Sequence, residues 1–225
     1  MDLLAEIDKV ILSKERDIRK YIGASSIGDE CSLKIWKRFK GHAETYDALS
    51  LRRFEDGHDV EARIVSWLRD IPNIELWTHD ENGEQFGFSA LDGKYQGHYD
   101  GIIRIDGVTS VLEIKASKKF NTLCSLKEKK AQNAVLQEWN YDYYAQAMTY
   151  CYFAGVDNHL LICSDAGGRE LVTLETPANH EYADALLLKA ERIANSETPP
   201  NKNGGKNYWK CKMCPFYGEC WNGNE

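Results

Sequence analysis

Residues 97–116 read Gly-His-Tyr-Asp-Gly-Ile-Ile-Arg-Ile-Asp-Gly-Val-Thr-Ser-Val-Leu-Glu-Ile-Lys-Ala, and this stretch decides the fold. Asp106-Gly107 divides it into two mostly apolar runs, and this dipeptide favours a two-residue hairpin turn with positive φ at both positions. Counting outward from the turn places Asp100 directly opposite Glu113. We therefore predict an antiparallel hairpin that carries two carboxylates at its open end.

The predicted hairpin would crowd charges on one face. Directly opposite side chains have Cβ atoms about 4.5 to 5.5 Å apart, and two carboxylates at that separation repel each other. Because side chains alternate along a strand, Lys115 returns to the face of Glu113, and the same register pairs Lys115 with His98. A hydrated magnesium ion would neutralise the acids, and Lys115 could orient its water or stabilise developing phosphate charge. The pattern favours metal-dependent phosphodiester hydrolysis.

A simpler interpretation is that Glu113 and Lys115 form a solvated ion pair on an exposed strand. The strand also contains Val111, Leu112 and Ile114, so apolar residues point to both of its faces. That pattern is typical of a buried central strand. We therefore expect the two acids to be buried, where their charge needs a compensating cation.

These residues resemble the RecB-type branch of the PD-(D/E)XK nucleases. Members of that family share an aspartate at a strand end, an acidic-x-Lys triplet on the next strand and a helical Gln-x-x-x-Tyr motif, which stands here at 146–150. They also carry a metal-binding acid or histidine four residues after a glycine in a preceding helix, as Glu61 follows Gly57. There are two departures: many relatives have histidine at the position of Glu61, and Tyr99 replaces the nominal proline before the aspartate.

The resemblance implies a role for each residue of this set. Mg²⁺ or Mn²⁺ would be held by carboxylates, one backbone carbonyl and a spare histidine, namely Glu61, Asp100, Glu113, the carbonyl of Ile114, and His58. Lys115 would position the attacking water, and Gln146 with Tyr150 would orient the substrate. Without the resemblance, Gln146 and Tyr150 would be read as ordinary neighbours on a helix surface.

The pattern of elements predicts an α/β fold with a mixed central sheet flanked by helices, which is the order of the nuclease family. Helices are expected at 3–21, 26–39, 46–71, 136–154 and 179–195. Strands are expected at 74–78, 85–90, 95–105, 108–116, 159–164 and 170–175. At 225 residues one core is sufficient, so we expect a single domain composed of an N-terminal helical segment, a nuclease core and a cysteine-rich tail, at 1–45, 46–196 and 197–225.

The net charge of -7 is unusual for a protein expected to bind nucleic acid electrostatically. Two basic runs interrupt this background: residues 115–130 contain six lysines, and residues 34–40 contain four basic residues. Such runs are commonly solvated helix faces. Their place beside the predicted site favours a phosphate track in which Lys118 and Lys119 contact DNA. No apolar run approaches the length of a membrane span.

Seven cysteines occur in a chain whose start has no secretory signal, so we expect a reducing cytoplasm and cysteines that bind metal rather than form disulfides. Cys211, Cys214 and Cys220 form a C-x2-C-x5-C pattern in a short tail that cannot make a core of its own. A metal centre would hold this tail in place. The candidates for a fourth ligand are Cys31, Cys124, Cys151 and Cys163, although the last two lie in apolar stretches typical of buried thiols.

The segment 26–36 around Cys31 is similar to the N-terminal cysteine segment of the iron-sulfur RecB-type exonucleases. In those proteins one cysteine before the nuclease core and three after it hold a [4Fe-4S] cluster that clasps the two ends of the domain. The resemblance therefore implies a cluster on Cys31, Cys211, Cys214 and Cys220. Structural zinc also takes four cysteines and is the alternative.

The resemblance implies a metal-dependent DNA exonuclease that acts at single-stranded ends in recombination, repair, phage replication or CRISPR adaptation. Protein partners from a recombination, repair or CRISPR adaptation system belong to the same expectation. The alternative is a non-catalytic nucleic-acid-binding or assembly subunit on the same fold. The complete acidic pair with Lys115 argues against that alternative, because a retired site has no reason to maintain repelling carboxylates.

Overall fold

A computed structural model describes residues 1–14 and 19–222 of the chain. These residues form α1 (Leu3–Ser13), β1 (Ile22–Gly23), α2 (Ala24–Ile27), α3 (Ser32–Phe39), α4 (Ala48–Arg69), β2 (Ile74–Trp77), β3 (Gly87–Ala90), β4 (Tyr95–His98), β5 (Gly101–Ile105), β6 (Val108–Ala116), α5 (Phe120–Lys129), α6 (Gln132–Trp139), α7 (Tyr141–Ala154), β7 (Asn158–Ser164), β8 (Leu171–Pro177), α8 (His180–Ala194), α9 (Trp209–Lys212) and α10 (Tyr217–Trp221). Within these two ranges, no helix combines the length and the apolar content needed to cross a membrane.

The central sheet has five strands in the order β2-β5-β6-β7-β8. β6 and β7 are parallel, and the other neighbouring pairs are antiparallel, so the sheet is mixed, as the sequence predicts. The β5–β6 hairpin has the predicted register, with Ile105 opposite Val108 and Gly101 opposite Leu112. The turn residues at 106 and 107 have φ of 48° and 81°, the left-handed geometry that Asp-Gly favours.

Helices α4 and α7 cover opposite faces of this sheet. On the α4 face, Val60 packs in one apolar cluster with Leu112 and Ile114 of β6. On the α7 face, a second cluster contains residues of α5, α6, α7, β7 and β8. Because consecutive residues of a strand point to opposite faces, Glu113 and Lys115 lie on the α7 side. The arrangement buries both faces of β6, as expected for a central strand.

The prediction of one continuous strand over 95–105 is wrong, because β4 and β5 belong to different sheets. β4 lies between β1 and β3 in a three-stranded sheet. His98 therefore pairs with Gly87 of β3 and not with Lys115, and its side chain is exposed. The chain crosses from one sheet to the other at residues 99–100.

Backbone hydrogen bonds explain this change of sheet. The Tyr99 N–H donates to the Phe86 carbonyl at 3.1 Å, so the chain follows the β3 side up to that residue. Pairing with β6 begins only at Gly101. The alternation of apolar and polar residues runs through the crossing without interruption, which is why the sequence pattern does not reveal it.

The helix predicted at 136–154 is divided at Asn140, whose backbone is extended. The Asn140 Oδ1 accepts hydrogen bonds from the N–H groups of Asp142 and Tyr143 at 3.1 and 3.2 Å. A side chain that caps in this way starts a new helix, so α7 is separate from α6.

The helix predicted at 26–39 is also divided. Cys31 stands between α2 and α3, and the Asp29 carboxylate accepts its N–H at 2.8 Å. Gly28 follows α2 and packs closely against α7. A Cβ at this position would lie 2.7 Å from the Asp142 Cα, so only glycine fits there. The first predicted helix, at 3–21, ends at residue 13, and its positions 15–18 lie outside the described residues.

A histidine on β7 lies in an apolar setting. His159 is buried opposite Val111 on β6 and Thr176 on β8. Neither ring nitrogen has a hydrogen-bond partner in the described part of the chain. Burial, with a smaller contribution from the charge of Lys115, lowers the pKa of His159 to about 3. The imidazole is therefore neutral in the folded protein at neutral pH.

We predict that His159 makes the fold sensitive to acid. The imidazole takes up a proton near pH 6.5 in the unfolded chain but only near pH 3 in the fold, so the unfolded state binds more protons between these values and stability falls with the pH. Between about pH 7 and about pH 5, the free energy of unfolding in urea should fall by about 2 kcal/mol more for the wild type than for His159→Leu. An equal pH dependence in both proteins would contradict the assignment.

Candidate active site

The residues predicted to be catalytic or to bind metal come from β6, α7, α4 and the crossing between the two sheets. β6 provides Glu113 and Lys115, the crossing between the two sheets provides Asp100, and α7 provides Gln146 and Tyr150. Glu61 comes from α4 and is close enough to Asp100 and Glu113 for the charges to shift one another's pKa.

Asp100 is fixed by the backbone of the neighbouring strand. Its Oδ2 accepts a hydrogen bond from the Ile114 N–H at 2.6 Å. Because β5 begins only at Gly101, the carboxylate takes the place of a strand partner for this N–H. Burial raises the pKa of Asp100, whereas Lys115 and the Ile114 N–H lower it, and burial prevails. The result is a carboxylate held rigidly beside Glu113.

Glu113 is 4% exposed, and its two carboxylate oxygens have different surroundings. Oε1 accepts hydrogen bonds from the Gln146 Nε2 at 3.1 Å and from the Lys115 ammonium. Oε2 has no hydrogen-bond partner among residues 1–14 and 19–222. A buried carboxylate oxygen without a partner is costly, at roughly 1 to 3 kcal/mol or more. Because burial raises the pKa of Glu113, either a proton or a bound cation would offset this cost.

If all three carboxyl groups were ionised, they would carry more negative charge than Lys115 neutralises. Burial raises the pKa of Glu61 and of Glu113, and in both cases Asp100 raises it further. For Lys115, burial opposes the charge, but Glu113 and Asp100 outweigh it and raise the pKa of the ammonium. Carboxylate oxygens in this number are the donors that Mg²⁺ and Mn²⁺ prefer.

The acidic side chains of the site are arranged loosely. In the part of the chain that the structure describes, no three His, Cys, Asp or Glu side chains are placed closely enough to enclose a metal. The ion pair with Lys115 already engages one carboxylate oxygen of Glu113. The oxygen atoms of these carboxyl groups are of the type that binds a divalent cation. Their side chains would have to move closer together to enclose one.

Gln146 and Tyr150 support Glu113 from the helix above it. The Gln146 Nε2 that donates to Glu113 also donates to the Tyr150 hydroxyl at 3.0 Å. Both residues are buried, at 5% and 3% exposed. Both side chains are therefore enclosed by protein, and Gln146 links the Tyr150 hydroxyl to the Glu113 carboxylate.

Tyr143 is a member of the site to which the sequence pattern assigns no catalytic or binding role, because it indicates only an aromatic core and cleft wall there. Its ring centre lies 5.6 Å from the Lys115 ammonium, a cation–π distance. Trp139 also packs against Tyr143, with ring centres 5.6 Å apart, and its Nε1 donates to the Lys119 carbonyl at 3.0 Å. An aromatic residue one helical turn before Gln146 is the sequence signal that could have found it.

The remaining predicted residues lie at the rim. The His58 side chain is 82% exposed, and its Nδ1 lies 4.0 Å from the Glu61 Oε2. Lys118 and Lys119 are exposed in the turn that directly follows β6. These positions suit contacts with solvent or with a bound strand, and His58 does not reach into the buried part of the site.

Four of the seven cysteines line one cavity of about 30 Å³, namely Cys31, Cys211, Cys214 and Cys220. Their thiols are free. The tail that carries three of them is held against the N-terminal segment by polar contacts, among them the Tyr208 hydroxyl to the Glu30 carboxylate at 2.7 Å. Phe216, within the tail, is fully buried.

The other three cysteines lie elsewhere. Cys151 and Cys163 are buried in apolar clusters, and burial raises the pKa of both thiols to about 12. Cys124 lies on α5 and packs against the cluster that contains Cys163. Of the four candidates that the residues alone left open, Cys31 is the one that shares a cavity with the tail cysteines.

Comparisons with known proteins establish the fold. No family model matches the chain, and no curated protein matches it in sequence. The crystal structure of SSO0001 is similar with a TM-score of 0.53 at 17% identity, covering 97% of this chain and 94% of that chain.

An alkaline exonuclease, LHK-Exo from Laribacter hongkongensis, is similar with a TM-score of 0.52 at 10% identity, covering 77% of this chain and 86% of that chain. Its complex with dAMP gives a TM-score of 0.52 at 11% identity. The chain therefore has the mixed α/β fold found in these structures, and at such identities the likeness extends to the fold alone.

We predict that the close packing of Tyr150 against Gly97 contributes to the stability of the fold next to this site. A Cβ on Gly97 would lie 2.7 Å from the Tyr150 ring and 2.8 Å from the Ala24 Cβ, so Gly97→Ala should lower the free energy of unfolding by about 1 to 3 kcal/mol. Gly57→Ala is the control, because Gly57 has open space around it within α4 and should gain about 0.5 to 1 kcal/mol. Urea unfolding measures both, and equal effects would contradict the packing argument.

Proposed function

We propose that this protein is a metal-dependent deoxyribonuclease that hydrolyses phosphodiester bonds as an exonuclease at single-stranded DNA ends. The observation that carries the proposal is the buried Glu113 carboxylate, whose Oε1 is held by two donors while its Oε2 has no partner among the described residues. Asp100 and Glu61 add negative charge beside it. Similarity in fold to an alkaline exonuclease supports the same class of activity.

In this proposal Mg²⁺ or Mn²⁺ is held by Glu61, Asp100, Glu113 and the carbonyl of Ile114. When bound, the ion would supply a water of lowered pKa and positive charge against the phosphate. Lys115 stays protonated beside two carboxylates, so it acts by orienting the nucleophile and stabilising charge and not as a general base. Gln146 and Tyr150 keep the Glu113 carboxylate in place.

The substrate in this proposal is DNA, with Lys118 and Lys119 contacting phosphates near the site. Both lysines are exposed and follow directly after the strand that carries Glu113 and Lys115. A neighbour in fold is an exonuclease whose complex holds dAMP, which is a DNA nucleotide. A role with protein partners in recombination, repair or CRISPR adaptation, in a reducing cytoplasm, extends the same proposal.

We further propose that Cys31, Cys211, Cys214 and Cys220 hold a [4Fe-4S] cluster. The support is that these four free thiols line one cavity while the other three cysteines do not. Four thiolates suit an iron-sulfur cluster or zinc, and the resemblance to iron-sulfur exonucleases favours the cluster. Bound there, it would clasp the N-terminal segment to the tail.

Lys115→Ala should abolish most of the proposed activity. We expect the rate of Mn²⁺-dependent cleavage of end-labelled single-stranded DNA to fall at least about 100-fold, because the group that orients the nucleophile is lost. Lys9→Ala removes an exposed lysine of α1 that pairs only with Glu6 among the described residues, and it should cleave at the wild-type rate. Equal cleavage by the wild type and Lys115→Ala would indicate contamination and favour a non-catalytic nucleic-acid-binding subunit.

Cys31→Ala should remove the metal centre. We expect anaerobically purified wild type to be brown with broad visible absorption, Cys31→Ala to be colourless and less stable to heat, and Cys124→Ala to match the wild type. Colourless wild type with stoichiometric zinc would replace the cluster with zinc on the same ligands. Full metal content in Cys31→Ala would contradict the ligand assignment itself.

A further inference from the structure

An exposed tryptophan and an arginine lie together on the catalytic face of the central sheet. Trp77, at the end of the edge strand β2, is 40% exposed. The Arg104 guanidinium on β5 lies over its ring, with the Cζ 5.4 Å from the ring centre. α7 covers β6 and β7 on this face, and the outer part of the sheet at β2 stays open to solvent.

The strand register places Trp77 next to the candidate active site. Trp77 is directly opposite Ile102 on β5, and Asp100 stands two residues before Ile102. Ile102 is in turn opposite Val111 on β6, two residues before Glu113 on the same face of that strand. Alternation along β5 puts Ile102 and Arg104 on the face of Glu113, and Ile103 points to the α4 side.

Arg104 is held in one orientation by hydrogen bonds that involve only part of its guanidinium group. Its Nε donates to the Glu75 Oε1 at 2.7 Å, and its Nη2 donates to the other oxygen of the same carboxylate. Nη1 has no hydrogen-bond partner in the described ranges of the chain. The bidentate pair holds the guanidinium plane in one position beside the Trp77 ring, with one donor group still available.

We propose that Trp77 is a stacking site for an unpaired nucleobase of the DNA strand, and that Arg104 contacts the adjoining phosphate. This rests on the proposed function, which puts the strand at the carboxylates of the site. A tryptophan face accepts any base, so the site would bind without sequence preference. Glu75 balances the charge of the guanidinium, so Arg104 contributes a directed donor at Nη1 for a phosphate oxygen, and stacking on Trp77 supplies most of the affinity.

The chain contains a second tryptophan–arginine pair that provides a matched control. Arg63 lies over Trp67 with the Cζ 5.6 Å from the ring centre, and Trp67 is 46% exposed. Both residues belong to α4, the helix that covers the opposite face of the sheet. The two pairs match in chemistry and exposure and differ in their position relative to the carboxylates.

The test compares Trp77→Ala, Trp77→Phe and Trp67→Ala with the wild type. Affinity for a fluorescent oligothymidine of about 12 nucleotides is measured by anisotropy in EDTA, where no cleavage occurs. Trp77→Ala should weaken binding about tenfold, Trp77→Phe should retain most of the affinity, and Trp67→Ala should bind as the wild type does. In Mn²⁺, Trp77→Ala should raise KM about tenfold and leave kcat within about threefold.

Unchanged binding by Trp77→Ala, an equal loss in Trp67→Ala, or no binding by the wild type would overturn the proposal. The two proposals fail separately. If the wild type does not cleave DNA but Trp77→Ala still binds it more weakly, the stacking site stands and the nuclease activity falls.

Discussion

The unequal surroundings of the two oxygens of Glu113 are the constraint on which the rest of the structure depends. Lys115 and Gln146 both donate to Oε1, and Oε2 is buried without a partner in the described residues. Burying a carboxylate in this way is unfavourable unless a cation compensates it. Three features meet at the Glu113 carboxylate: the strand crossing at Asp100, the buried helix α7 and the charge of Lys115. In the proposed function, a divalent cation supplies this compensation at the centre of the main sheet.

The cysteine cavity and the carboxylates are physically connected through α2. Gly28 meets α7 at Asp142, one turn before Gln146. The Lys189 ammonium binds the carbonyls of Ile27 and Asp29 at 2.7 Å each, which fixes the backbone just before Cys31. A centre that clasps Cys31 to the tail would therefore also stabilise the helix that holds Glu113 in place.

The features that the sequence predicted depend on local chemistry. Asp106-Gly107 determines a turn, and the turn determines the register that brings Asp100 beside Glu113. Most of the features that it did not predict depend on contacts between distant parts of the chain. The crossing at 99–100 follows from a backbone bond to Phe86, and the cation–π contact of Tyr143 follows from the way α7 packs on β6. Asn140 was a recognisable cap, and the strength of the surrounding helical pattern concealed it.

Calorimetric titration with Mn²⁺ tests the central claim most directly, because it needs no substrate. Glu113→Gln keeps the shape of the side chain and an oxygen at which Lys115 and Gln146 can donate, but it removes the negative charge. The account predicts that the wild type binds Mn²⁺ and that Glu113→Gln binds it more than about tenfold more weakly while folding normally. Equal affinity in the two proteins would contradict the claim that this carboxylate holds the metal.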